Sequence, residues 1–193
     1  MGKLFILDNG HGKNTAGKRS PVWKDGKQLF EYIFNRVVVL GIKAELLKLG
    51  IDGVILVPED TDISLAERCT RANKIYKENK NAVLISVHAN AGGGTGWECY
   101  TSKGKTKSDD YATVFYNQFK KDFPEWRMRT DNSDGDPDKE SPLYILTNTS
   151  CPALLTENFF MDTETDCRFI MSDEGVKRII QAHVEAIKTI NKM

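Results

Sequence analysis

Three side chains that could bind or use a metal lie at or near the ends of predicted strands. His11 follows the apolar segment KLFILD after Asn9 and Gly10, and His88 directly follows the apolar segment AVLISV. Glu157 lies near the end of the apolar segment ALLTENFF, where a buried carboxylate is costly unless a cation or a metal compensates its charge. Two imidazoles and a carboxylate form a catalytic zinc site with one position left for water. These residue types therefore indicate metal-assisted hydrolysis.

A second carboxylate, Glu31, can lie at the same edge of the sheet. It lies early in the first predicted helix, after the loop that leaves His11. One carboxylate would then bind the metal, and the other, Glu157, would take the proton of the attacking water. The ligands are dispersed, and no HExxH motif fixes two of them on one helical turn. An alternative therefore stays open, in which His11 and His88 are hydrogen-bonded loop residues and Glu157 pairs with an arginine.

Predicted strands and helices alternate along the chain. The predicted strands are Lys3–Asp8, Gly53–Pro58, Ala82–Val87, Gly96–Thr101, Pro142–Thr147 and Pro152–Asn158. The predicted helices are Gln28–Leu49, Ser64–Asn79, Ser108–Phe119, Thr163–Met171 and Asp173–Ile190. This alternation predicts an α/β fold, a single domain over residues 1–193 with a mostly parallel twisted sheet flanked by helices on both faces. In such sheets ligands bind at the carboxyl ends of the strands, which is where the candidate residues fall.

Local patterns support individual elements. In the first helix the apolar residues at helical spacing are Leu29, Ile33, Val37, Leu40, Ala44 and Leu47. Ser64 and Glu67 predict a capping box at the start of the second helix. His183 lies beside the apolar stripe of the last helix and is expected to be a packing or surface histidine rather than a ligand.

Two long segments, residues 11–27 and 123–141, are predicted to be surface loops, and loops of this length are often functional. Asp134, Asp136 and Asp138 alternate in the second loop, but the spacing of a calcium-binding loop is incomplete, which favours a solvated acidic loop. Each loop carries one tryptophan, Trp23 or Trp126, which either stacks on a sugar or packs against the fold.

Composition argues against several classes of protein. The 193 residues contain 27 Lys and Arg and 27 Asp and Glu, and a net charge of zero argues against a nucleic-acid partner. No apolar run approaches the roughly 18–20 residues of a membrane span. The four cysteines lack CxxC spacing and are expected to be structural thiols. The N-terminus leads directly into a strand, so no signal peptide is expected. We also expect a monomer.

Five segments occur in an order that resembles a known family. They are LDNGHG at residues 7–12, EYIFN at 31–35, LAERCTRAN at 65–73, ISVHANA at 85–91 and PALLTENFF at 152–160. Together they look like the zinc-dependent N-acetylmuramoyl-L-alanine amidases, the type-3 amidase family of bacterial cell-wall hydrolases and phage endolysins. The resemblance extends from about residue 3 to the C-terminus.

The resemblance implies that His11, Glu31 and His88 bind one Zn²⁺ ion and that Glu157 is the catalytic residue. The implied partner is peptidoglycan, and the implied reaction is hydrolysis of the amide between N-acetylmuramic acid and L-alanine, without an organic cofactor. Asn158 would place its side chain beside the catalytic carboxylate. Asn90, after the second histidine, could orient the substrate or the metal ligands.

The biological setting stays open between two cases. One is a phage or prophage endolysin, made in the cytoplasm and released at lysis, and the other is the mature part of an exported enzyme. Two other functions also stay open: a zinc peptidase that cuts within the stem peptide, and a non-catalytic wall-binding protein. Lysines and an arginine crowd the first loop and could meet carboxylates of the stem peptide (Lys13, Lys18, Arg19, Lys24 and Lys27).

Overall fold

A six-stranded sheet forms the centre of the protein in a computed structural model that describes residues 2–193. Its strands are β1 (Leu4–Asn9), β2 (Gly53–Ile55), β3 (Ala82–Asn90), β4 (Trp97–Thr101), β5 (Lys139–Glu140) and β6 (Ala153–Phe160). The strand order is β2-β1-β3-β6-β4-β5. Strands β2, β1, β3 and β6 run parallel to one another, and β4 runs antiparallel to β6. The predicted α/β fold with a mostly parallel sheet is confirmed.

Helices cover both faces of this sheet, as predicted. They are α1 (Glu31–Lys48), α2 (Leu65–Glu78), α3 (Lys107–Asp122), α4 (Tyr144–Thr147), α5 (Glu164–Ile170) and α6 (Asp173–Ile190). Helices α1, α3, α5 and α6 share the larger core on one face, and α2 and α4 share the smaller core on the other. No helix among residues 2–193 is both long enough and apolar enough to cross a membrane.

The central strands are buried on both faces, which is why they read as continuous apolar runs. In β3, Val83 and Ile85 enter the larger core, while Leu84 between them enters the smaller one. The same alternation in β6 places Leu155 and Glu157 on the face of α2, because successive side chains of a strand point to opposite faces. This alternation decides which polar side chains meet at the carboxyl edge.

Side-chain caps begin the helices near where the sequence predicts them. The Ser64 hydroxyl accepts a hydrogen bond from the backbone N–H of Glu67 at 3.2 Å. The Glu67 carboxylate pairs with Arg71 on the next turn instead of returning to Ser64, so of the predicted capping box the structure forms the hydrogen bond to the serine hydroxyl. A reciprocal capping box does form at α3, between Thr106 and Asp109. These caps satisfy backbone donors that the first turn of a helix leaves free.

The apolar pattern that indicated the first helix does not mark its buried face. Leu47 is 71% exposed, and Ile33, Val37 and Leu40 are also exposed. The residues that pack into the core are Phe34, Val38, Val39, Ile42 and Leu46. Helix α1 is apolar on two faces, so periodicity predicts the helix but cannot tell which face the sheet covers.

The predicted strand Pro142–Thr147 is wrong, because Tyr144–Thr147 forms the short helix α4. Ile145 and Leu146 are adjacent and both buried against the smaller core, whereas a strand would place them on opposite faces. A short apolar run is ambiguous between strand and buried helix from its sequence alone. The predicted strand Gly53–Pro58 is also shorter, since β2 ends at Ile55.

The predicted loop 123–141 contains more structure than expected. It includes β5, which pairs with β4 through Lys139 and Glu140. Asp138 is buried rather than solvated, and it accepts a hydrogen bond from the Thr101 hydroxyl at 2.6 Å. Burial and the neighbouring carboxylates Asp136 and Asp109 raise the pKa of Asp138 to about 7. The loop is therefore anchored to the sheet.

The predicted packing of the cysteines and of His183 is confirmed. All four cysteines are free thiols and buried. His183 is buried in the core between Phe115 and Phe119. Both tryptophans pack against the fold: the Trp23 indole N–H donates to the sulfur of Cys167, and Trp126 contacts Phe159 and Phe169.

Candidate metal centre

Three of the residues singled out in the sequence converge at the carboxyl edge of the sheet. Glu31 Oε1 lies 3.0 Å from His88 Nδ1 and 3.3 Å from His11 Nε2. One donor atom from each of the three residues can be chosen so that all three lie within 4.8 Å of one another. The largest separation in sequence among the three residues is 77 positions, between His11 and His88, so only the fold brings them together.

Each of the three side chains comes from a different element. His88 lies in β3, and Glu31 is the first residue of α1. His11 follows β1 and has a φ of +63°, in the left-handed region that non-glycine residues seldom adopt. Two arginines bind the carbonyl oxygen of His11: Arg36 Nη1 at 2.9 Å and Arg68 Nη2 at 3.3 Å. These hydrogen bonds stabilise the unusual backbone conformation that aims the His11 imidazole at Glu31.

Gly10 makes room for the second histidine. A Cβ atom built on Gly10 would lie 2.1 Å from Cε1 and 2.4 Å from Nε2 of His88. The ring of His88 therefore passes against the backbone of residue 10, and any larger residue would collide with it. The NGH sequence after β1 thus places one histidine directly and makes space for the other.

Glu31 is buried and ionised. It is 1% exposed, and Oε1 also accepts the backbone N–H of Ala89 at 3.3 Å. Burial alone would raise the pKa of this carboxyl, but the adjacent imidazoles of His11 and His88 outweigh burial and hold the pKa well below its usual range. Burial alone would lower the pKa of His88, but the hydrogen bond to the charged Glu31 carboxylate outweighs burial and raises that pKa.

Unsatisfied atoms and spacing both fit a bound zinc ion. His11 Nε2 and Glu31 Oε2 are buried without a hydrogen-bond partner among residues 2–193, which is costly unless another group binds there. Around a tetrahedral zinc ion with bonds of about 2.0–2.1 Å, neighbouring ligand atoms are about 3.3–3.4 Å apart. The distances of 3.0 and 3.3 Å from Glu31 Oε1 agree with that spacing.

Glu157 lies beside this cluster. The strand register pairs it with His88 of β3 and, on its other side, with Glu98 of β4, so the three side chains form a row on one face of the sheet. Its Oε2 atom is buried without a hydrogen-bond partner among the described residues. Burial, aided by the charges of Glu31 and Glu98 and opposed by His88, raises the pKa of Glu157 to about 7. Within residues 2–193 no arginine pairs with it, contrary to the alternative left open by the sequence.

Two asparagines have different surroundings from those expected. Asn158 points away from Glu157 into the larger core, where its amide donates to the carbonyl of His88 at 2.9 Å and its oxygen accepts from Trp97 Nε1. Asn158 therefore stabilises the backbone of β3 from the face of the larger core and does not line the site. Asn90 donates to Glu98 at 2.6 Å and does not contact the three-residue cluster.

Sequence reasoning missed a buried ion pair beneath the site. Arg68 Nη1 lies 2.6 Å from Asp8 Oδ1, both side chains are almost fully buried, and Ser86 donates to the other oxygen of Asp8 at 2.5 Å. Arg68 also donates to the carbonyl of Asn9 at 2.9 Å, which fixes the chain before His11. The sequence feature that could have indicated this pair is the alternation of side chains along the predicted strands KLFILD and AVLISV, which places Asp8 and Ser86 on one face of the sheet.

A cleft of about 200 Å³ opens beside the cluster. Its lining includes His11, His88, the N-cap Ser64 and first residue Leu65 of α2, and Ile145 of α4. The imidazoles of His11 and His88 therefore border a cleft that a ligand can enter, and α4, which was not predicted as a helix, forms part of its wall.

Comparison with known proteins gives one family match and several relatives. The family model described as N-acetylmuramoyl-L-alanine amidase matches residues 5–189. The endolysin of Bacillus phage SPP1 is 26% identical over 98% of this chain, and the N-acetylmuramoyl-L-alanine amidase CwlM of Bacillus licheniformis is 29% identical over 97%. The matched regions cover 66% and 68% of these two relatives, so the chain spans about two thirds of their length.

Solved structures share the fold. The N-acetylmuramoyl-L-alanine amidase of Clostridium difficile 630 aligns with a TM-score of 0.80 at 22% identity, covering 97% of this chain and 96% of that one. The amidase AmiC2 of Nostoc punctiforme aligns with a TM-score of 0.82 at 20% identity, covering 99% and 98%. At these identities the likeness shows a common fold.

Proposed function

The chain belongs to the N-acetylmuramoyl-L-alanine amidase family, and we propose that it hydrolyses the amide bond between N-acetylmuramic acid and L-alanine in peptidoglycan. The observation that carries this proposal is the convergence of His11, Glu31 and His88 beside the unpaired carboxylate of Glu157. A phage endolysin and a bacterial amidase among its relatives support the same substrate. We extend the proposal to residues 1–193 as one catalytic domain that acts on the cell wall as a monomer.

In this proposal His11, Glu31 and His88 would hold one zinc ion. When bound, zinc lowers the pKa of a water molecule from 15.7 towards about 7 and polarises the amide carbonyl. Glu31 is already ionised, as a ligand must be, and the unpartnered nitrogen of His11 needs no other bond to be broken first.

Glu157 moves the proton. Its Oε2 atom accepts a proton from the attacking water as the new C–O bond forms, and it then gives that proton to the alanine nitrogen as the C–N bond breaks. A group whose pKa lies near the working pH performs both steps well. The pKa of about 7 that burial gives Glu157 supports this dual role. The products are a glycan strand with a free lactyl carboxylate and a peptide with a free L-alanine amino group.

Digestion of purified peptidoglycan tests the reaction. We expect new amino-terminal L-alanine, no new reducing sugar ends, and loss of both digestion and bound zinc in EDTA. New amino termini elsewhere in the stem would show a zinc peptidase instead. Wall binding without any release would show a non-catalytic wall-binding protein.

Glu157→Gln tests the proposed proton transfer. The variant should bind zinc like the unmodified protein and lose about 10²–10⁴-fold in turnover, the usual effect of removing a general acid–base. Glu174→Gln, an exposed carboxylate on α6, is the matched control and should keep full activity. Turnover of the Glu157→Gln protein close to that of the control would contradict the assigned role.

A further inference from the structure

A second buried carboxylate, Glu98, ends the row that begins at His88 and passes through Glu157. Glu98 of β4 pairs directly with Glu157 of β6 and is 2% exposed. Neighbouring strands lie about 4.8 Å apart, so Glu98 is about 10 Å from His88 across the sheet. The row therefore extends from the candidate metal ligands towards the edge formed by β4 and β5.

Two cations bind the same oxygen of Glu98. Arg129 Nε lies 2.7 Å and Lys139 Nζ 2.5 Å from Glu98 Oε2. The other oxygen, Oε1, is already satisfied by Asn90 Nδ2 at 2.6 Å and the Tyr100 hydroxyl at 2.9 Å. One cation would balance the charge of Glu98, so this group carries one positive charge more than its own carboxylate requires.

Arg129 has hydrogen-bond donors that no protein atom among residues 2–193 accepts. Arg129 uses only Nε within residues 2–193, which leaves the N–H groups of both Nη atoms without a protein partner. Its guanidinium lies 5.1 Å from the centre of the Phe160 ring, which restricts its orientation. The Arg129 and Lys139 side chains are 27% and 23% exposed, so they are partly desolvated but still reachable. A guanidinium held in this way binds carboxylates through two parallel hydrogen bonds.

The backbone fixes both cations, although they come from the long loop. The N–H of Arg129 donates to the carbonyl of Trp97 at 2.9 Å. Lys139 is a residue of β5 and pairs with Tyr100 of β4. The loop 123–141 therefore presents two positive side chains at a defined place on Glu98, one strand away from Glu157.

We propose that Arg129 and Lys139 form a subsite for a carboxylate of the peptide part of the substrate. This inference rests on the proposed amidase function. An extended peptide spans about 3.3–3.6 Å per residue, so about three residues cover the 10 Å along the row from the candidate metal ligands. The ligand is thus a stem-peptide carboxylate within about three residues of the scissile amide, and its charge is balanced by the surplus cation. If the two cations served only to neutralise Glu98, either one would be redundant.

The test compares two substrates and three variants of the zinc-loaded protein. One substrate is purified peptidoglycan, and the other is the same preparation with its free carboxyl groups converted to carboxamides. The variants are Arg129→Met and Lys139→Met, each of which leaves Glu98 paired with one cation, and Arg127→Met as a control at a neighbouring exposed arginine. Release of amino-terminal L-alanine is measured against substrate concentration.

We expect the unmodified protein and Arg127→Met to prefer the carboxylate substrate by about tenfold or more in kcat/KM, the size of a hydrogen bond to a charged group. In Arg129→Met and Lys139→Met the ratio of kcat/KM between the carboxylate and carboxamide substrates should fall to near one, mainly through a higher KM for the carboxylate substrate. Equal hydrolysis of both substrates by the unmodified protein, or an unchanged preference in both variants, would overturn the subsite and leave the amidase function standing. Failure to release L-alanine from either substrate would overturn the proposed function itself.

Discussion

Replacing Gly10 by alanine should damage the candidate zinc site by moving one ligand. The new Cβ atom would lie 2.1 Å from Cε1 of His88. Carbon atoms in contact are about 3.5–4.0 Å apart, so the ring must retreat by about 1.4 Å. Ligand distances in a metal site tolerate deviations of about 0.2 Å. His88 would therefore lose its place beside Glu31 Oε1, from which its Nδ1 is now 3.0 Å away.

We expect the affinity of Gly10→Ala for zinc to fall by at least about 100-fold, because loss of even an outer-shell partner costs 10–100-fold. Competition with a chromophoric chelator measures the affinity, and thermal unfolding of the metal-free protein checks that the fold survives. Gly53→Ala is the matched control: it lies in a parallel strand pairing, and its Cβ would come no closer than 3.3 Å to any atom, the nearest being the flexible end of Leu46. Zinc binding by Gly10→Ala as tight as that of the control would refute the reasoning.

Two further predictions concern stability. Burial lowers the pKa of His183 to about 4, so the unfolded chain binds the proton more tightly than the folded chain. The free energy of unfolding is therefore highest above a pH of about 6.5 and falls as the pH drops towards 4. Urea unfolding across this range should show a loss that is larger than in His183→Gln by up to about 3 kcal/mol. An equal slope in both proteins would contradict this assignment. On α1, Leu46→Ala should cost about 2–5 kcal/mol, because it empties a core position, whereas Leu47→Gln should change stability by less than about 0.5 kcal/mol, because Leu47 is exposed. Similar costs from urea unfolding for these neighbouring leucines would mean that the exposed face of α1 is covered in solution.

The fold was predictable where local pattern and long-range packing agree. The continuous apolar runs at residues 4–9, 82–90 and 153–160 became the central strands because both of their faces are covered. The prediction failed at residues 142–147, where the apolar run was too short for its period to separate a strand from a helical turn. β5 was missed because two residues that pair only with β4 carry no pattern of their own.

The candidate site was partly predictable for a similar reason. His11 and His88 follow strands, and parallel strands end at one edge, so their approach could be expected from the chain order. Glu31 and Glu157 were placed there by the same logic, and the structure brings both beside the histidines. The cations at Glu98 were not predicted, because Arg129 and Lys139 lie in a long loop whose path depends on where β4 and β5 pair.

The sequence by itself determined the donor atoms, the alternation of strands and helices, and the edge of the sheet to which those donors belong. These properties depend on residue type and local periodicity, which a chain carries without its fold. Only the tertiary structure decided which face of α1 is buried, that Asn158 points away from Glu157, and that Gly10 lies against the ring of His88. Each of these depends on strand register and helix packing between distant segments, and shifting a register by one residue would exchange the two faces.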